Sequence, residues 1–181
     1  MDKFYCGQCG GEHRLSDIET SFDRPDAFFD IPASERAKRT FNEPHLCVLW
    51  ETEDTARRHF LRVLLPIPIH GEALDYCWGV WAEVAEVDFV STHDRWNDPR
   101  RADMPSFDGK LANALPGTPS TLGLVGTVRV SPPGEIPRFM LAPQINHPLA
   151  HQQREGVFQE QAIEWASLPC IDSSSEVWYW R

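Results

Sequence analysis

Between positions 60 and 69 the odd residues Leu61, Val63, Leu65, Ile67 and Ile69 are all apolar. Side chains of an extended strand alternate between two faces, so this spacing makes one continuous face for burial and predicts a strand. Pro66 and Pro68 fall inside the run. Because N–H groups at i and i+2 point to the same edge, these prolines remove two neighbouring donors, and this end of the strand is expected at a sheet edge or a bulge. A turn at His70-Gly71-Glu72 leads into a second run in which Trp78, Val80, Ala82 and Val84 share one face and Trp81 and Glu83 the other. The two runs read as a hairpin, with Arg62 and Glu83 facing each other as a cross-strand ion pair.

Shorter elements surround the hairpin. Ile31-Pro32-Ala33-Ser34-Glu35 opens a short polar helix that Ser34 can cap and that ends before Pro44, and positions 46–50 read as a strand. Positions 91–105 carry few apolar residues and suit a surface loop with a helical turn. Leu124, Gly126, Val128 and Val130 alternate up to a break at Ser131-Pro132-Pro133-Gly134, and 136–141 can return antiparallel. His147-Pro148 starts a helix that stops at Gly156, and a second helix carries Phe158, Ala162, Trp165 and Ala166. Strands first and helices last predict an α+β fold, a mainly antiparallel sheet with C-terminal helices. One domain over 1–170 is expected, with a tail over 171–181 whose end, Val177-Trp178-Tyr179-Trp180, docks on the core or on another chain.

Composition narrows the function classes. The chain has 181 residues, 41% hydrophobic and 24% charged, a globular balance for one domain. Seventeen basic against 27 acidic residues give a net charge of −10, which opposes a nucleic-acid partner. The small basic groups Arg36-Lys38-Arg39, Arg57-Arg58 and Arg100-Arg101 read as solvated faces. No apolar run reaches a membrane span, and the N-terminus lacks the pattern of a secretion signal, so a cytoplasmic protein is expected. An odd cysteine count, five, argues against a disulfide framework.

The most specific chemistry lies in Cys6-Gly7-Gln8-Cys9-Gly10-Gly11. A two-residue spacer lets both thiolates turn towards one tetrahedral ion, and zinc fits this donor set best. A redox dithiol would place the pair at the start of a helix, which Gly10-Gly11 opposes. A structural site needs two more ligands. His13 can fold back from the same turn and Cys47 can be brought across from its strand, with His45 as the substitute. Cys77 and Cys170 read as small buried hydrophobes.

A second constellation is His147 and His151, four apart on a helix, without the general-base glutamate of the zinc-protease pattern; His147 before Pro148 suits a cap. No serine-nucleophile elbow, phosphate loop or dinucleotide glycine pattern is present. The surface around Arg62, Trp78, Trp81, Glu83 and His147 is the candidate binding surface.

The order CGQCGGEH, IPASER, HLCVLW, FLRVLLPIPIHG, WGVWAEV, FDGKLANALPGTPSTLGL and NHPLAHQQREGV resembles an uncharacterised bacterial family, domain of unknown function 2199. The resemblance implies that Cys6, Cys9, His13 and Cys47 belong to the family pattern, with Arg62, Trp78, Gly79, Trp81, Gly109, Leu111, His147, Pro148 and Gln153. That pattern usually has an acidic residue where His45 stands, and it includes neither His151 nor the residues after Ser175. Three functions follow as expectations. The first is a zinc-stapled module that binds a protein or small molecule; the second is a hydrolase using His147, Arg62 and Glu83; the third is an acidic inhibitor of a basic partner.

Overall fold

The computed structural model describes residues 3–5, 11–14, 19–52 and 55–168. Two short strands, β1 (Lys3–Tyr5) and β2 (Glu12–Arg14), form an antiparallel ladder of their own. The other eight strands form one mixed sheet: β3 (Glu19–Ser21), β4 (Thr40–Asn42), β5 (Leu46–Leu49), β6 (Arg58–Ile67), β7 (Tyr76–Val84), β8 (Phe107–Leu111), β9 (Val125–Arg129) and β10 (Arg138–Leu141). Five helices accompany them: α1 (Asp26–Phe29), α2 (Ala33–Arg39), α3 (Glu86–Asp94), α4 (Pro148–Glu155) and α5 (Gln159–Ala166). The fold is α+β, as the order of elements predicts.

The predicted hairpin is the centre of the sheet. β6 and β7 pair over nine positions, from His59↔Val84 to Ile67↔Tyr76. Their length lets each serve two further partners. β6 takes β5 along Arg58 to Leu61 and β10 at Leu64, and β7 takes β8 along Ala82 to Val84 and β3 along Cys77 to Gly79. Since β8 pairs with β9 and β9 with β10, strands β6 to β10 close into a small barrel. Most pairings are antiparallel; β3 with β7 and β10 with β6 are parallel.

Register decides what lies inside. Leu61, Val63, Leu65 and Ile67 are fully buried, as their spacing requires, and their ladder partners Trp78, Val80 and Ala82 share that face. Leu111, Val128 and Phe139 complete the interior from the other three strands. Gly109 and Gly126 are register partners there. A Cβ on Gly126 would lie 2.5 Å from Met140 O and 2.6 Å from the Phe139 ring, so that ring occupies the room a side chain would need. Burying this hydrocarbon is the main stabilising term, roughly 25 cal/mol for each Å² removed from water.

The outer face of β6 is also covered, so β6 is buried on both sides at Phe60, Arg62 and Pro66. Its proline end is a partial edge inside the sheet. β10 pairs with β6 only at Leu64, and beyond that point acceptors remain without matching donors. The Gln153 side chain of α4 fills this place. Its Nε2 donates to Phe139 O at 2.9 Å and Pro66 O at 3.3 Å, and its Oε1 accepts from Leu141 N–H at 2.7 Å. Val157 N–H then donates to Pro68 O.

Several expectations need correction. Ser34 does not cap α2; the helix begins at Ala33 behind Pro32, with no side-chain cap, because Pro32 already sets the entry of the chain. The stretch after β7 is not a plain loop: α3 covers 86–94 and a 3-10 turn spans Pro99–Asp103. α3 buries only Phe89 and Thr92, so it leaves no helical stripe to read. β8 was not anticipated, because Asp108, Gly109 and Lys110 hide its alternation. α4 runs from Pro148 and stops at Gly156, whose φ of +83° favours glycine, as expected. In α5, Ala162, Trp165 and Ala166 are buried, but Phe158 is the N-cap residue and is exposed.

Candidate functional site

The N-terminal ladder pairs Lys3 with Arg14, Phe4 with His13 and Tyr5 with Glu12. Cys6 and Cys9 thus fall in the sequence between two paired strands, and the element that follows them is β2. Cys6 and Cys9 lie outside the described residues, and so does Cys170. Among the described residues no group of three or more His, Cys, Asp or Glu could hold a metal ion.

Cys47 is a free cysteine, fully buried at the centre of β5. It stands opposite Phe60, and so on the outer face of the sheet with Arg62 and Trp81. Burial pushes its thiol up to about 12, against the opposing pull of the Arg24 guanidinium. Arg24 in turn lies 5.7 Å from the Trp81 ring centre and 6.0 Å from that of Phe28. β3 runs beside β7 in the sheet, Ser21 Oγ accepts from Arg62 Nη2 at 2.8 Å on this same face, and past β3 Phe22 and Arg24 lie against Trp81. His45 stacks on Trp96 at 5.4 Å between ring centres. Cys77 is half-buried, less enclosed than the core thiol its sequence context suggests.

The expected Arg62–Glu83 pair does not form. The register sets Arg62 opposite Trp81 and Glu83 opposite Phe60, two steps apart on one face. Glu83 instead takes a two-bond fork from Arg58, at 2.8 and 2.7 Å. That fork holds the Glu83 carboxyl below the usual Glu range. Trp78 and Trp81 are 1% and 0% exposed, so they are core and not a surface open to a partner. Trp78 packs on Tyr76 and Trp165, and Trp81 Nε1 donates to Phe22 O at 2.9 Å.

His147 is buried as the cap of α4. Its Nδ1 accepts from Leu149 N–H at 3.1 Å and its Nε2 lies 3.2 Å from Pro119 O, so both ring nitrogens are engaged. His151 faces outward on the same helix, its Nδ1 3.1 Å from Arg154 Nη2 and its Nε2 3.4 Å from Asn146 Oδ1. The structure thus brings Arg62, Trp81, Glu83 and Cys47 to one face, and gives His147 a separate set of partners at the head of α4.

The basic groups are not merely solvated. Arg36 covers the rings of Phe28 and Phe29, Arg57 covers Trp50, and Arg58 covers Phe60. Arg101 has no exposed surface; it stacks at 4.4 Å on Trp96 and donates to the carbonyls of Trp96, Ser131 and Glu135. Cation–π contacts of this kind satisfy a planar guanidinium where water is excluded. A pair of adjacent arginines gives no sign in sequence that one of them is internal. Asn113 was also missed: fully buried, it accepts from Trp81 N–H at 2.8 Å and donates to Arg24 O and Asp26 Oδ1, both at 2.9 Å.

No described helix is long and apolar enough to cross a membrane. A family model described as an uncharacterized protein conserved in bacteria (DUF2199) matches residues 5–157, and the chain belongs to that family. No curated protein and no solved structure matches the chain.

Proposed function

We propose that this family member is a binding module of the bacterial cytoplasm whose N-terminal ladder is stapled by a structural zinc ion. The ligands are Cys6, Cys9 and Cys47 with His13, or with His45 in its place. The observation that supports this reading is the position of the C-x-x-C pair in the connection between β1 and β2. A two-residue spacer lets two thiolates meet one tetrahedral ion, whereas a dithiol tuned for redox work draws on a helix N-terminus, and the element after this pair is a strand. Cys47 fits as a remote ligand because the chain at and beyond β3 lies against the outer face that carries it. A closed four-ligand site of this type contributes folding energy and leaves no coordination position for a substrate. Its role here is to pin an otherwise short ladder to the sheet.

The partner is a protein or a small molecule. The net charge of −10 disfavours nucleic acid.

Metal analysis of the freshly purified full chain tests the staple. About one equivalent of zinc is expected, falling strongly in Cys6→Ser and Cys47→Ser. Less than roughly a tenth of an equivalent in the wild-type protein overturns the reading. Zinc retained in Cys47→Ser removes Cys47 from the ligand set.

A further inference from the structure

Outside the face that carries Cys47, one ionisable side chain is enclosed without a use. His59 sits at the start of β6, on the inner side of the barrel wall, and is 6% exposed. Its ladder partners are valines on both sides, Val48 of β5 and Val84 of β7. The ring of Phe89, from α3, covers it at 5.1 Å between centres. Among the described residues neither imidazole nitrogen has a hydrogen-bond partner.

α3 is held to the barrel by few groups. Phe89 and Thr92 are its buried residues, and the Thr92 hydroxyl is spent on Asp88 O of the helix itself. Val87 and Val90 point to solvent. Phe89 on His59 therefore anchors the helix to β6. We propose that His59 makes this docking acid-sensitive, so that protonation of its ring releases α3 from the mouth of the barrel.

The physical reason is desolvation. A cationic imidazole between two valines and a phenyl ring, only 6% exposed, loses most of its hydration with no bonded acceptor in return. Burial is the leading cause of the lowered His59 value; Glu86 of α3 acts against it and Arg57 acts with it. The adjacent positions of β5 and β7 contribute no charge, and Asp88 of α3 is itself pushed up by burial and by Asp108. A folded value below the usual one means that the neutral form stabilises docking. That contribution is present above the usual His range and is lost as pH falls from about 6.5 through the folded value. Opening the helix is the cheapest way to hydrate the ring, because β6 is laddered on both sides at this position. The inference is independent of the zinc site, since His59 and Cys47 occupy opposite faces of the sheet.

Hydrogen exchange of the full chain, read residue by residue and corrected for intrinsic rates, tests the latch. Between about pH 7.5 and pH 5, the protection of the α3 amides relative to that of Val63 should fall roughly tenfold. His59→Leu should abolish that fall, and Glu86→Gln, which removes the attraction that favours the charged ring in the docked helix, should deepen it and extend it to lower pH. The Glu86 variant keeps the idea testable if the leucine variant folds poorly. Unchanged relative protection of α3 across this range, or the same pH response in His59→Leu, overturns the proposal.

Discussion

On the inner side of the β6–β7 hairpin, Leu61, Val63, Trp78 and Val80 face Leu111, Val128 and Phe139 across the barrel. The outer side of the same two strands carries Arg58, Arg62, Trp81 and Glu83, beside a buried thiol and under a segment tied down by Asn113 and Ser21. Both sides bury large side chains, yet they do so by different means. The interior is determined by volume, where a phenyl ring and two glycines must fit one space. The exterior is determined by direction, where guanidinium groups, an amide and backbone carbonyls must meet at bonding angles.

Three substitutions separate these mechanisms. Phe139→Ala empties the interior and should cost the most, about 3–5 kcal/mol, seen as a large fall in the urea midpoint with little change in slope. A loss under about 1 kcal/mol would mean that the barrel collapses around the gap, and its packing would not be what sets the fold. Asn113→Ala acts on the exterior, leaving the Trp81 N–H without its acceptor while removing little volume. About 1–3 kcal/mol is expected in the same measurement. If Asn113→Ala proves harsher than Phe139→Ala, the ranking of the two sides is reversed.

Arg58→Ala removes the exposed fork to Glu83 and should cost no more than about 1 kcal/mol at neutral pH. It also has a signature in pH. Because Arg58 holds the Glu83 value down, the pair stabilises the protein above the usual Glu range and that contribution is lost as pH falls through the folded value. Urea titrations at about pH 7 and pH 3 should show wild type and Arg58→Ala converging in acid. Equal separation at both pH values would assign the effect to the Arg58 stem lying on Phe60.

These two sides also differ in how far the amino-acid order revealed them. Alternation along 60–69 and along β7 identified the hairpin and its inner face, because period two is a direct consequence of strand geometry. β8 escaped because its middle interior position, between Phe107 and Leu111, is Gly109, and a glycine carries no hydrophobic signal. On the exterior, patterns of charge misled: Arg62 and Glu83 lie on one face, but the closer arginine, Arg58, takes the carboxylate. Arg101 looked solvated and is internal, since only the folded chain brings three carbonyls and Trp96 around it. His147 was legible as a cap because capping depends on local order alone, with Pro148 following it. Trp78 and Trp81 read as a binding surface and are core, as indole side chains serve cores and binding surfaces equally well.

The glutamine placed beside Pro66 has a bearing on how this protein avoids sticking to itself. A row of bare carbonyls at the end of a long apolar strand is a template on which a foreign strand can add, and such an edge promotes aggregation. The prolines deny an incoming strand two of its acceptor partnerships. Gln153 and Val157 then occupy the carbonyls of Pro66 and Pro68, so the opening is sealed by the protein's own amide groups.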